Sequence, residues 1–147
     1  YYGAKKVFWY EMADEPFGPN NPESFFGILR FNESLSVKPS AVAFSNMVNN
    51  YRHAIPVGKY VGQSYGFAYD NQGKNQLCLW TEKDSKEETL YLPNTKKVNV
   101  TDIFGRVQQL KVLNGKVIIT IGYLPITITG FDQDDFTGLY APRKVVK

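Results

Sequence analysis

The chain has 147 residues, a length that fits one domain or a small domain with an appendage. A hydrophobic content of 43% and an aromatic content of 15% suffice for a packed core, and a net charge of +3 is too small and too dispersed for a nucleic-acid footprint. A lone cysteine, Cys78, excludes an internal disulfide framework and a cysteine-based metal cluster, and no run of about 18 apolar residues is present to span a membrane.

Residues 5–11, with Val7, Phe8, Trp9 and Tyr10 leading to Glu11, form a nearly continuous apolar run of the kind found in a strand covered on both faces. From Met12 to Ser24 the prolines, glycine and asparagines dictate a loop, and a loop of that length in a compact domain is more often functional than idle. Phe25–Phe31 returns the chain, and Pro39 suits the first turn of a helix, where its missing N–H is not needed. Ala41, Phe44, Val48 and Tyr51, with Met47 beside them, fall at helical spacing and predict an inward stripe, leaving Asn46, Asn49, Asn50 and Arg52 to face outward. His53 falls in the last turn, where a cation suits the helix dipole, and has no partner at metal-ligand spacing. Pro56 and Gly58 close this region, which reads as one βα unit. Such a unit cannot satisfy its own edges, so other βα units are expected before it. The absence of an initial methionine or signal segment likewise suggests a fragment or a processed product.

After this boundary the period changes to two. Tyr65, Phe67 and Tyr69 alternate, as do Leu77 and Leu79 beyond the turn at Asp70–Lys74. Thr89 with Tyr91, and Val98 with Val100, supply two more strands. Gln109–Leu113, an Asn114-Gly115 turn and Lys116–Ile121 predict a hairpin, and Pro125–Ile128 the closing strand. Short strands punctuated by turns at this spacing argue for an antiparallel β-sandwich. Cys78 and Trp80 read as buried residues of that sandwich, while Tyr60, Tyr65 and Tyr69 could alternatively line a sugar-binding face.

The order of these motifs resembles the C-terminal end of the retaining glycoside hydrolases of clan A, (β/α)8 barrels often followed by a small β-sandwich. The resemblance is carried by Val7-Phe8-Trp9-Tyr10-Glu11, Pro22–Leu29 and Lys38-Pro39-Ser40-Ala41. In the sandwich it is carried by Leu79-Trp80-Thr81, Val98–Gly105 and Leu124–Ile128. It implies a mainly β fold, with residues 1–57 as the last strand, loop and helix of a barrel and residues 58–147 as a β-sandwich domain. It also implies that the family's two catalytic glutamates, on the fourth and seventh barrel strands, lie outside this chain. Retaining hydrolysis needs two carboxyl groups about 5–5.5 Å apart, so the chain alone should not catalyse. Glu11 is not matched to the nucleophile. Trp9, Tyr10 and Glu11 are the expected substrate-binding residues, with Trp9 as the floor of the sugar subsite or, equally, a core aromatic. Glu11, Asp14 and Glu15 read as a solvated rim or as partners for sugar hydroxyls.

The expected partners are a carbohydrate and either the rest of a barrel or a second copy meeting the exposed first strand, without nucleic acid, membrane, metal or cofactor. The sequons at Asn32 and Asn99 would accept glycans on an extracellular or secretory route. A second reading stays open, that of a non-catalytic β-sandwich protein serving carbohydrate binding, adhesion or assembly.

Overall fold

Alternating apolar residues oblige each strand to bury one face, and the fold answers with two unequal layers. The computed structural model describes residues 8, 10–15, 18, 20–32 and 34–143. A 3₁₀ turn at Pro22–Phe25 precedes helix α1 (Pro39–Tyr51) and strands β1 (Ala54–Tyr60), β2 (Tyr65–Asn71), β3 (Lys74–Trp80) and β4 (Lys86–Tyr91). Then come β5 (Lys97–Thr101), β6 (Val107–Lys111), β7 (Lys116–Ile121), β8 (Ile126–Thr129), the short helix α2 (Gln133–Thr137) and β9 (Tyr140–Pro142). One sheet has seven strands in the order β6-β5-β8-β3-β2-β1-β9, and the other has two, β4-β7. The pairings are antiparallel, so the expected mainly β sandwich is present.

The core lies between the layers. Ala68, Leu77, Leu79, Val98 and Ile128 of the large sheet are fully buried, as are Leu90 and Ile121 of the small one, and Phe136 of α2 plugs the same cluster. Burying one such aliphatic side chain contributes about 1.5–3 kcal/mol, which is what holds the layers together. β7 shows the logic most plainly: Val117, Ile119 and Ile121 are buried while Lys116, Ile118 and Thr120 are exposed.

Several expectations are corrected. The Asn114-Gly115 turn forms, with both residues at positive φ (51° and 71°), but it does not close a hairpin between its flanking strands. β6 pairs with β5 and β7 pairs with β4, so the chain changes layers at the turn. The reason is burial: on the edge of the large sheet, three buried aliphatics of β7 would lose the opposing core. Pro56 and Gly58 do not end an element. They lie inside β1, flanking a bulge, and a division after residue 57 would cut that strand. Gly58 is there because a Cβ would come within 2.1 Å of the Tyr140 ring and 2.4 Å of the Ala141 carbonyl oxygen, where β9 crosses closely. β8 is central rather than closing, since it inserts between β5 and β3 and is followed by α2 and β9.

α1 forms where the pattern placed it, with Pro39 in the first turn. Its facing follows the expected stripe only in part. Asn46, expected outside, turns toward the sandwich, where its Nδ2 donates to the Ile103 carbonyl at 3.2 Å, and the backbone carbonyl of Asn50 accepts from Asn71 Nδ2 at 2.8 Å. Tyr51 reaches across the outer face of the sheet to Thr127 Oγ1, with hydroxyl and hydroxyl 2.5 Å apart, and its ring meets Tyr69 edge-on. Val48, expected inside, is exposed, and no residue of α1 is fully buried. Cys78 and Trp80 also sit on the outer face rather than in the core, because β3 gives its other face to Leu77 and Leu79. Cys78 is half-buried near Tyr51, and Trp80 is shielded by Tyr65 and Phe67, with ring centroids 6.1 and 5.8 Å away.

Candidate functional site

The segment from Glu11 to Lys38 is the one that the sequence singled out. Its backbone is ordered by a short ladder in which Leu29 N–H donates to the Met12 carbonyl, Asp14 N–H to the Leu29 carbonyl, and Lys38 N–H to the Ile28 carbonyl. Ala13 bridges Leu29 in parallel, and Leu29 bridges Val37 antiparallel. The approach is so close at Gly27 that a Cβ there would lie 2.2 Å from the Ala13 carbonyl carbon and the Asp14 nitrogen. Only glycine fits.

Asp14 pins this arrangement. Its carboxylate accepts from Gly27 N–H at 3.1 Å and forms an ion pair with the Lys38 ammonium, which also donates to the Phe25 carbonyl at 3.1 Å. Asp14 is 9% exposed, so it is an internal tie and not part of a solvated rim. Nothing local in the sequence marks this pair, since its members stand 24 residues apart.

Held in this way, the segment presents apolar side chains to solvent. Tyr10, Met12, Phe25, Phe26 and Phe31 are between 47% and 68% exposed, while Glu11 is half-buried next to them. Exposed aromatic rings have the chemistry to meet the apolar C–H face of a sugar, while one carboxylate oxygen of Glu11 is shut off from solvent. Trp9 lies outside the described residues, so Tyr10 and Glu11 are the expected binding residues whose surroundings are seen. Among the described residues no three His, Cys, Asp or Glu side chains gather to hold a metal ion.

The structure matches part of a solved family 39 glycoside hydrolase from the gut symbiont Bacteroides cellulosilyticus WH2, with a TM-score of 0.72 and 24% sequence identity. The match covers 84% of this chain and 26% of that one, so the chain spans about a quarter of the hydrolase's length. At this identity the likeness is one of fold. No protein-family model and no curated protein matches the sequence.

The remaining expected residues do not converge on one site. Asn32 is exposed and binds its own turn, with Nδ2 donating to Ser36 Oγ at 2.7 Å and Oδ1 accepting from Ser36 N–H at 2.9 Å. Asn99 is half-buried in β5 and accepts from Gln109 Nε2 at 3.1 Å. Tyr60, Tyr65 and Tyr69 do not form one sugar-binding face. Tyr60 is buried with its hydroxyl on Glu88, whereas Tyr65 stacks on Trp80, and Tyr69 lies against Tyr51 with its phenol pushed up to about 12 by burial.

A cleft of about 520 Å³ opens between α1 and the outer sheet face, lined by Phe44, Met47, Tyr51, Ile103 and Pro125 among others. The polar groups of Asn46, Tyr51, Thr127 and Asp102 in its walls are already bonded within the chain. It offers apolar surface, which suits side chains of another element better than a sugar.

Proposed function

We propose that this chain is the C-terminal βα unit and β-sandwich of a retaining glycoside hydrolase of clan A, whose catalytic carboxylates reside in preceding polypeptide. The observation that carries the reading is the fold match, which takes in 84% of the chain as part of a much longer hydrolase. The exposed apolar side chains of residues 8–48 support it. Phe8, Tyr10, Met12, Phe25, Phe26, Met47 and Val48 are all more than a third exposed, a surface that neighbouring barrel strands and helices would cover.

In this reading Trp9, Tyr10 and Glu11 stand at the mouth of the barrel, where sites form at the C-terminal ends of strands. Their task is to position the sugar by stacking and by hydrogen bonds, while proton transfer and nucleophilic attack belong to the absent pair. The barrel is the chain's partner and a carbohydrate its ligand. An extracellular or secretory location, with glycans at Asn32 and Asn99, belongs to the same proposal.

The test is a comparison of two polypeptides on chromogenic glycosides. The 147-residue chain should be inactive, and a version extended upstream by about 250 residues of its reading frame should hydrolyse with retention. Substituting Trp9→Ala in the extended protein should lower kcat/KM about 10²-fold through mispositioning. An extended protein without glycosidase activity on any sugar would overturn the reading.

A further inference from the structure

A second depression, of about 450 Å³, lies on the opposite layer, away from the N-terminal segment. Its walls are the connection after β1, with Gly62 and Gln63, and the outer edge of β4, with Glu87, Thr89 and Tyr91. Its floor is fixed by Glu88, which is only 5% exposed. One carboxylate oxygen of Glu88 accepts from the Tyr60 hydroxyl and from Gln63 N–H, each at 3.1 Å, and the other accepts from Ser64 Oγ at 2.6 Å. The Lys86 ammonium donates to the Gln63 carbonyl, and a Cβ at Gly62 would sit 2.2 Å from the Tyr60 hydroxyl. The connection is therefore held in one conformation, and ligand binding there would order little.

The rim differs from the floor. Glu87, Thr89 and Tyr91 alternate onto the solvent side of β4, and Tyr91 is 64% exposed. Its ring is steadied by the Lys116 ammonium, 5.2 Å from the centroid. Among the described residues β4 pairs only with β7, so its other edge also offers backbone donors and acceptors. One exposed aromatic ring, surrounded by a carboxylate, a hydroxyl and an amide, suits a neutral sugar. An apolar ligand would strand those polar groups.

We propose that this depression is a glycan-binding subsite in which Tyr91 stacks on a neutral pyranose ring and Glu87, Thr89 and Gln63 take its hydroxyls. It rests on the carbohydrate reading above for the ligand class, and adds to it a contact remote from the barrel end of the chain. Affinity electrophoresis of the full 147-residue chain through gels holding xylan, mannan or a mixed-linkage β-glucan tests it. At least one of these neutral polysaccharides should retard the chain. Tyr91→Ala should weaken the retardation about tenfold at unchanged melting temperature. Ile118→Ala, on the same exposed face, should leave it unaltered. Retardation by no neutral polysaccharide, or retardation that survives Tyr91→Ala, would overturn the proposal. Hydrolysis by the extended protein is read separately, so its absence would remove the enzyme reading without altering this result.

Discussion

Two buried carboxylates, Glu88 and Asp135, tie distant segments together by the same means. Asp135 accepts from the backbone and side chains of both Asn94 and Thr95, at 2.7–3.0 Å, and so fastens α2 to the turn after β4. Glu88 fastens the β1–β2 connection to the small sheet. Burial pushes the Glu88 carboxyl up, but the hydrogen bonds from Ser64, Gln63 and Tyr60 outweigh it, leaving the pKa below the ordinary value. A depressed folded-state pKa contributes stability that is present above the unfolded value of about 4.3 and is lost as pH falls through the folded value. Glu88→Gln should therefore destabilise the chain by about 1–3 kcal/mol at pH 7, and the gap to wild type should narrow below pH ~4 in denaturant melts. Thr89 and Tyr91, on which the sequence pattern anchors this strand, are its exposed positions, and Glu88 shares the buried face with Leu90. Its partners were not legible either, because Tyr60 and Ser64 meet it only when the layers close. Gly27 joins distant segments by a different means, a close backbone approach to Ala13 and Asp14. Gly27→Ala should cost about 1–3 kcal/mol and hasten proteolysis of the 12–37 loop, as gel time courses would show.

Among the elements, α1 separates what periodicity can tell from what it cannot. Its limits followed from Pro39 and the apolar spacing, and Phe44 and Tyr51 meet the sheet as the spacing predicts, yet Val48 is exposed and Asn46 turns inward. The helix has apolar residues on two adjacent arcs, and a pattern cannot rank them when one is left uncovered by the described residues. The tie at Tyr51 is the measurable consequence. Tyr51→Phe leaves the Thr127 hydroxyl, on a residue only 9% exposed, without this partner and should cost about 1–2 kcal/mol in urea unfolding. The turn between β6 and β7 teaches the same lesson. Asn114 and Gly115 specify a tight reversal, and Gly115→Ala should cost about 1 kcal/mol from its φ of 71°. A reversal does not say which strands will pair. β1 went unrecognised because Pro56 and Gly58 are ordinarily breakers, whereas here a bulge accepts one and the close passage of β9 requires the other.

For the molecule as a whole, a β-sandwich carries an N-terminal segment whose described residues leave several large apolar side chains uncovered. With Phe8, Tyr10, Met12, Phe25 and Phe26 all exposed, the isolated chain should self-associate at micromolar concentration. Sedimentation velocity would show a concentration-dependent shift, while a stable monomer would count against that segment's need for a partner. The extended protein should sediment as a compact species of its own mass if the barrel covers the same surface.

Strand periodicity, turn chemistry and the helix-start signal were sufficient for the β-sandwich, most of its strands and α1, because they act between residues that are neighbours in sequence. Sheet order, the change of layer after β6, the outward placement of Cys78 and Trp80, and the Asp14–Lys38 and Glu88 ties depended on the closed fold. Each of these is fixed by which buried surface finds an opposing one, or by a polar group that loses water and must take whatever donor or acceptor the packing brings to it.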